Sequence, residues 1–269
     1  MNRLSVLLVA VGACARPSVT DQLARATWVD LTYPFDSTTI YWPTAKPFRL
    51  EVVSAQRTAA GYYYAANNFA AAEHGGTHLD APVHFAEGRL STDQIPLARL
   101  TGPAVVIDVS SQADADRDFR VAPADLEAWE LDHRPIAEGS IVLIRTGWGS
   151  RWPDRAHYLG TTKTGPAAVA ELHFPGIHPD AARWLVTHKV RAVGIDTPSI
   201  DYGQSTTFDT HQILFAADIP AFENVAHLST VPATGAFVIA LPMKIRGGSG
   251  GPLRIVAVLA EGAVVTTSP

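Results

Sequence analysis

The chain has 269 residues, 47% of them apolar and 17% charged, with a formal net charge of -5. This balance excludes a disordered chain, and the length is enough to bury a full core without disulfide or metal staples. Lys and Arg form no basic run, which removes the electrostatic footprint of a nucleic-acid binder, and the single cysteine, Cys14, rules out an internal disulfide and a CxxC zinc pattern.

From the N-terminus, Arg3 precedes an apolar run over residues 4–11, then Gly12, Ala13 and Cys14. A charged start, a short apolar stretch and small residues make up a secretory signal. The run is far shorter than the ~18 apolar residues of a spanning helix. Val11-Gly12-Ala13-Cys14 resembles a bacterial lipobox. The expectation is an exported protein, periplasmic or membrane-anchored through lipid on Cys14. The alternative is a cytoplasmic protein with an N-terminal extension. Residues 1–14 are then the signal, 15–26 a polar linker and 27–269 one domain. Within it, β-branched and apolar runs predict strands over 48–53, 62–71 and 104–109, and a helix over 123–130 that opens on Pro123. A nearly all-apolar strand follows at 141–145, then a helix over 179–188 opening on Pro179, and a strand over 190–195. A helix over 211–217 and strands over 235–240 and 253–259 complete the reading. Alternating strands and helices predict a single α/β domain with a mixed sheet.

Chemistry concentrates between the second and third strands. His74, His78, Asp80 and His84 fall within eleven residues, and their offsets of 4, 6 and 10 from His74 are all even. Even offsets share one face of an extended chain, while Gly75-Gly76 and Pro82 exclude a regular helix. Imidazole and carboxylate are the ligand set of Zn²⁺ or Mn²⁺. His74, His78 and Asp80 supply three ligands and leave a position for water. His211 and Glu223 flank a segment that can return both to one site. Asp196, at the end of an apolar run, marks either a site or a capped turn. His173 and His178 flank a turn and read as structural. His133, His157, His188 and His227 read as surface residues.

The segment from His74 to Phe85 resembles the signature of the cyclase-like metal-dependent hydrolases, the group of bacterial kynurenine formamidase and isatin hydrolase. Asp30-Leu31-Thr32 with Trp42-Pro43, Phe174-Pro175-Gly176-Ile177, Gly194-Ile195-Asp196-Thr197-Pro198-Ser199, Phe222-Glu223-Asn224-Val225 and Pro242-Met243-Lys244 extend the resemblance from about residue 28 onward. It implies a swivelling β/β/α fold, a homo-oligomer such as a homodimer, and one or two Zn²⁺ or Mn²⁺ ions per subunit. It also implies that His74, His78 and Asp80 hold the first ion. Asp80 would bridge to a second ion completed by His211 and Glu223, with His84 as general acid/base.

The expected chemistry is attack of activated water on the carbonyl of an aryl formamide or cyclic amide, a small-molecule substrate. Trp42 and Tyr33 are candidate substrate-binding aromatics, with Phe35 and residues 62–64 as further candidates. Kynurenine formamidase serves intracellular tryptophan catabolism, so an export signal implies either a different natural substrate or a non-functional signal. Two other classes stay open: a lyase or dehydratase using the same metal, and a lipoprotein that captures a metal or ligand without catalysis. Turnover of an aryl formamide with metal present separates the last from the hydrolases.

Overall fold

A computed structural model of the chain describes residues 18–263. The signal and lipid-anchor reading of residues 1–14 lies outside the described residues. Within the stretch read as a polar linker, helix α1 (Val19–Arg25) forms with no buried residue. Capping explains it: Ser18 Oγ accepts from Asp21 N, and Asp21 accepts in return from Ser18.

Strand β1 (Thr27–Asp30), the hairpin β2 (Arg49–Arg57) and β3 (Tyr63–Ala70), and the short β4 (His78–Asp80) come next. They are followed by α2 (Leu97–Leu100), β5 (Thr101–Asp108), α3 (Ser110–Ala115), β6 (Arg120–Val121), α4 (Pro123–Asp132) and β7 (Ile141–Arg145). The chain continues through α5 (Arg155–Leu159), β8 (Gly176–Ile177), α6 (Pro179–Thr187), β9 (Ala192–Ile195), α7 (Asp209–Ala216) and β10 (Ala221–Glu223). It ends in β11 (Ala236–Pro242) and β12 (Gly250–Leu259).

The main sheet runs β1-β12-β11-β5-β7-β9-β10-β4, and β4 pairs again with β12. The mixed sheet anticipated from the sequence therefore closes on itself as a barrel, with β1 continuing along one edge of β12. β5, β7, β9 and β10 are parallel; the other pairings are antiparallel. Parallel neighbours need long crossovers, and the segments carrying α4, α6 and α7 supply them. Side chains on these strands alternate between two cores. Val106, Leu143, Phe222, Val238 and Ile255 fill the barrel. Ile107, Val142, Ile144 and Val193 meet Leu126, Leu185 and Phe215 of the covering helices. Both faces are buried, which is why β7 and β9 read as continuous apolar runs.

Strands β2 and β3 pair only with each other and stand clear of the barrel. Leu50, Val52, Tyr63 and Phe69 alternate onto one face of this hairpin, each more than half exposed.

Candidate metal centre

The site is assembled by strand register. In β4, Leu79 enters the barrel core, so His78 and Asp80 face the opposite way. Glu223 lies directly across from His78 on β10, with Phe222 opposite Leu79. Alternation therefore puts two donors of β4 and one of β10 on the same side. Helix α7 delivers His211 from the connection between β9 and β10. His74 arrives by a different route. Gly75, at φ +152°, bends the chain before β4, and a Cβ there would lie 2.1 Å from the Tyr41 ring. His84 sits in a single turn of 3₁₀ helix, Pro82–His84. The even-offset expectation thus holds for His78 and Asp80 only: glycine before the strand and proline after it end the extended stretch. Gly250, paired with Asp80, leaves room for the His74 ring; a Cβ there would lie 2.5 Å from it.

Asp80 is the centre. Its Oδ1 lies 2.7 Å from His74 Nδ1 and 3.1 Å from His78 Nε2, and its Oδ2 lies 3.2 Å from His211 Nε2. Glu223 faces His78 Nε2 at 3.4 Å and His211 Nε2 at 3.2 Å. Two triads follow, His74–His78–Asp80 and Asp80–His211–Glu223, each with ligand atoms within 4.8 Å of one another.

The outer hydrogen bonds orient each ring. His78 Nδ1 donates to Gly76 O at 3.0 Å, and His211 Nδ1 donates to Asp201 Oδ2 at 2.5 Å. Ser249 Oγ donates to Glu73 Oε2 at 2.7 Å, so it accepts from His74 Nε2 at 2.8 Å. Each ring therefore turns its remaining nitrogen lone pair onto a carboxylate oxygen. Lone pair against lone pair is repulsive unless a cation stands between them. Protons can take that place. Burial opposes charge on His78, yet Asp80 and Glu223 raise it to about 8. His211 is likewise driven upward, against burial, by its bonds to Asp201, Asp80 and Glu223. Burial and the neighbouring Asp80 raise Glu223, whereas the imidazoles of His74 and His78 overcome burial and hold Asp80 well below the carboxylate range. Two buried carboxylates and three aimed imidazoles fit a divalent ion, as nitrogen and oxygen donors for Zn²⁺ or Mn²⁺.

A cavity of about 310 Å³ opens onto this cluster. Ile40, Trp42, Phe85, Pro198 and Phe208 make its wall apolar, and no Lys or Arg lines it among the described residues. His84 borders it, its ring stacked on His74 at 3.8 Å. Burial, reinforced by the surrounding imidazoles and opposed by Asp80, lowers His84 to about 4.

Trp42 lines this cavity and Tyr33 does not. Its ring stacks on Trp152 at 4.2 Å and its hydroxyl donates to Gly149 O, in a separate cleft with Arg145, Asp196 and His227. Tyr33 N donates to Thr77 Oγ1 at 3.0 Å, which ties this segment to the motif. Asp196 holds the turn after β7, accepting from Thr146 N, Thr146 Oγ1 and Gly147 N. His173 pairs with Asp118, and His178 caps α6. Asp201, Ser249, Asn224 and Phe208 were not expected at the centre. Asn224, inside the quoted 222–225 motif, and Asp201, two residues beyond the quoted 194–199 motif, carried a signal; Ser249 and Phe208 carried none.

The family model described as "Putative cyclase" matches residues 29–202. An isatin hydrolase of Roseibium aggregatum is 36% identical over 74% of this chain and 76% of its own. A kynurenine formamidase of Salinibacter ruber is 33% identical over 68% of this chain and 74% of its own. The solved structure of isatin hydrolase A from Ralstonia solanacearum superposes with a TM-score of 0.81 at 33% identity, covering 92% of this chain and all of that one.

Proposed function

Because the chain belongs to the cyclase family of metal-dependent hydrolases, we propose that it opens a neutral aryl amide, foremost a cyclic amide of the isatin kind. The observation that carries this reading is the apolar, cation-free cavity wall meeting a cluster of buried imidazoles and carboxylates. His74, His78 and Asp80 are the proposed holders of one divalent ion, Zn²⁺ or Mn²⁺, and Asp80, His211 and Glu223 of a second. An ion held there supplies Lewis acidity at the carbonyl oxygen and lowers the pKa of water toward ~7.

The remaining work falls to side chains. Trp42 and Phe85 exclude bulk water and orient the aryl ring. His84 is neutral at working pH because burial disfavours its charged form. It accepts a proton from the attacking water as the new C–O bond forms, then gives that proton to the amide nitrogen as the C–N bond breaks. A carboxylic acid, which ionises to a carboxylate by releasing its proton to solvent, and an aryl amine result.

The second reading is an arylformamidase, supported by the formamidase relative and by the pairing of His211 with Glu223. N-formylkynurenine carries an α-ammonium and an α-carboxylate, and the lining residues offer that carboxylate no Lys or Arg. The cyclic amide therefore ranks first. Parallel assays of metal-loaded protein on isatin and N-formylkynurenine test the ranking. A kcat/KM at least ~10-fold higher for isatin is expected, equivalent to about 1.4 kcal/mol of transition-state binding. A preference for N-formylkynurenine reverses the ranking.

A homo-oligomer built on the exposed apolar hairpin is part of the proposal, since a two-stranded hairpin alone is marginally stable. The pattern before Cys14 supports export and lipid anchoring. Both are testable, by light scattering and by membrane fractionation of cells expressing Cys14→Ala.

A further inference from the structure

Phe208 occupies a backbone conformation that suits its side chain poorly. It precedes α7 with φ 53° and ψ 43°, in the left-handed region. Of the other non-glycine residues with positive φ, Asp218, Asn224 and His227 are of types enriched there. A bulky aromatic is an outlier, since its Cβ crowds the backbone where Gly or Asn fits at little cost. Phe208 N donates to Ser205 Oγ at 3.0 Å, and Gln212 N donates to Phe208 O at 3.1 Å, so both flanks pin the conformation. These are backbone bonds that Asn or Gly would make equally well. The turn therefore does not explain the ring.

The ring's surroundings do. It lies 5.2 Å from Phe85, 6.3 Å from Trp42 and 6.1 Å from His211, all residues that line the cavity. The side chain is only half-buried, and every ring it meets lines the cavity, with Phe85 alone also packed against the helix-side core. Strained backbone at a cavity wall, with no role in the turn, points to retention for the ring's contact with a ligand.

We infer that Phe208 is a specificity-determining residue: its left-handed backbone sets its ring beside Phe85 and Trp42 as a wall against which a planar aryl group stacks. This inference rests on the aryl-amide reading. It makes Phe208 a selector of aryl over alkyl substrates, with no part in bond-making.

The test uses the full metal-loaded chain and the variants Phe208→Asn, which tolerates the left-handed backbone, and Phe208→Leu, which keeps bulk without the ring. Isatin is compared with succinimide, a cyclic imide with no aryl ring. In Phe208→Asn the metal content stays at the wild-type value and Tm holds or rises. KM for isatin rises about fivefold or more with kcat within ~2-fold, the size of a lost aromatic contact. KM for succinimide does not move. Phe208→Leu raises KM for isatin in the same direction without a gain in Tm. An isatin KM unchanged in Phe208→Asn overturns the inference, as does loss of metal, which would make the ring a support for His211. If wild-type protein does not turn over isatin, the functional reading fails on its own. Isatin dissociation constants, read from quenching of tryptophan fluorescence, then judge Phe208: weakening by about fivefold upholds its role and equal affinity overturns it.

Discussion

His84 differs from His74, His78 and His211 in having no carboxylate against either ring nitrogen among the described residues. That leaves its nitrogens for substrate and water. His84→Ala is expected to keep its metal and lose ~10²- to 10⁴-fold in kcat, the usual worth of a positioned proton carrier. Metal analysis beside the assay decides it, because a variant emptied of metal would make His84 a ligand. Asp201 acts one layer further out. It accepts from Thr210 N, His211 N and His211 Nδ1, and so fixes which nitrogen of His211 faces Asp80 and Glu223. Asp201→Asn puts a donor where an acceptor is needed. About 10- to 100-fold weaker metal binding is expected in competition with a chelator, with the ion next to His211 lost first. The motif histidines were visible in the sequence because three of them and an aspartate crowd into eleven residues beside two glycines and a proline. Ser249 was not: it stands 175 residues from the His74 ring it receives, and a lone serine before a strand carries no mark of that contact.

At the scale of elements, β4 brings the centre together although it is three residues long. It joins β10 on one side and β12 on the other, so a change in either neighbour reaches the donors. Gly250→Ala is the direct probe, because its Cβ would press on both the His74 ring and Leu79 O. Destabilisation of about 1–3 kcal/mol is expected from such overpacking, along with weaker metal binding, measured by denaturant unfolding and by chelator competition. Unchanged stability and affinity would mean that His74 has another place to go. The sequence shows β7 in full and the long helices α4 and α6 to within two residues, since a continuous apolar run marks the strand, an opening proline marks both helices and helical spacing of apolar residues marks α6. β4 and β10 stayed hidden because three residues contain no period. Helix α7 starts two residues before the expected 211, behind the left-handed Phe208, a start that carries no capping signature.

For the whole molecule, barrel closure was beyond sequence patterning, since it depends on β4 meeting two strands at once. The hairpin β2–β3 is the other whole-molecule feature. Apart from Phe48 stacked on Phe69, its apolar face is largely exposed among the described residues, and a contiguous exposed patch of this kind is a candidate interface. Leu50→Asp with Phe69→Asp is expected to shift the protein to a smaller assembly by light scattering, with the barrel still folded by circular dichroism. Unchanged mass would place any interface elsewhere.

Amide hydrolysis is proposed to depend on a metal held by the cluster around Asp80. The measurement that reaches it most directly is the rate of isatin ring opening by chelator-stripped protein as Mn²⁺ or Zn²⁺ is added back, with Asp80→Asn in parallel. Turnover absent without metal, restored at one or two ions per chain and absent throughout in Asp80→Asn is the predicted result. Turnover that survives stripping, or an Asp80→Asn variant restored like the wild type, would contradict it.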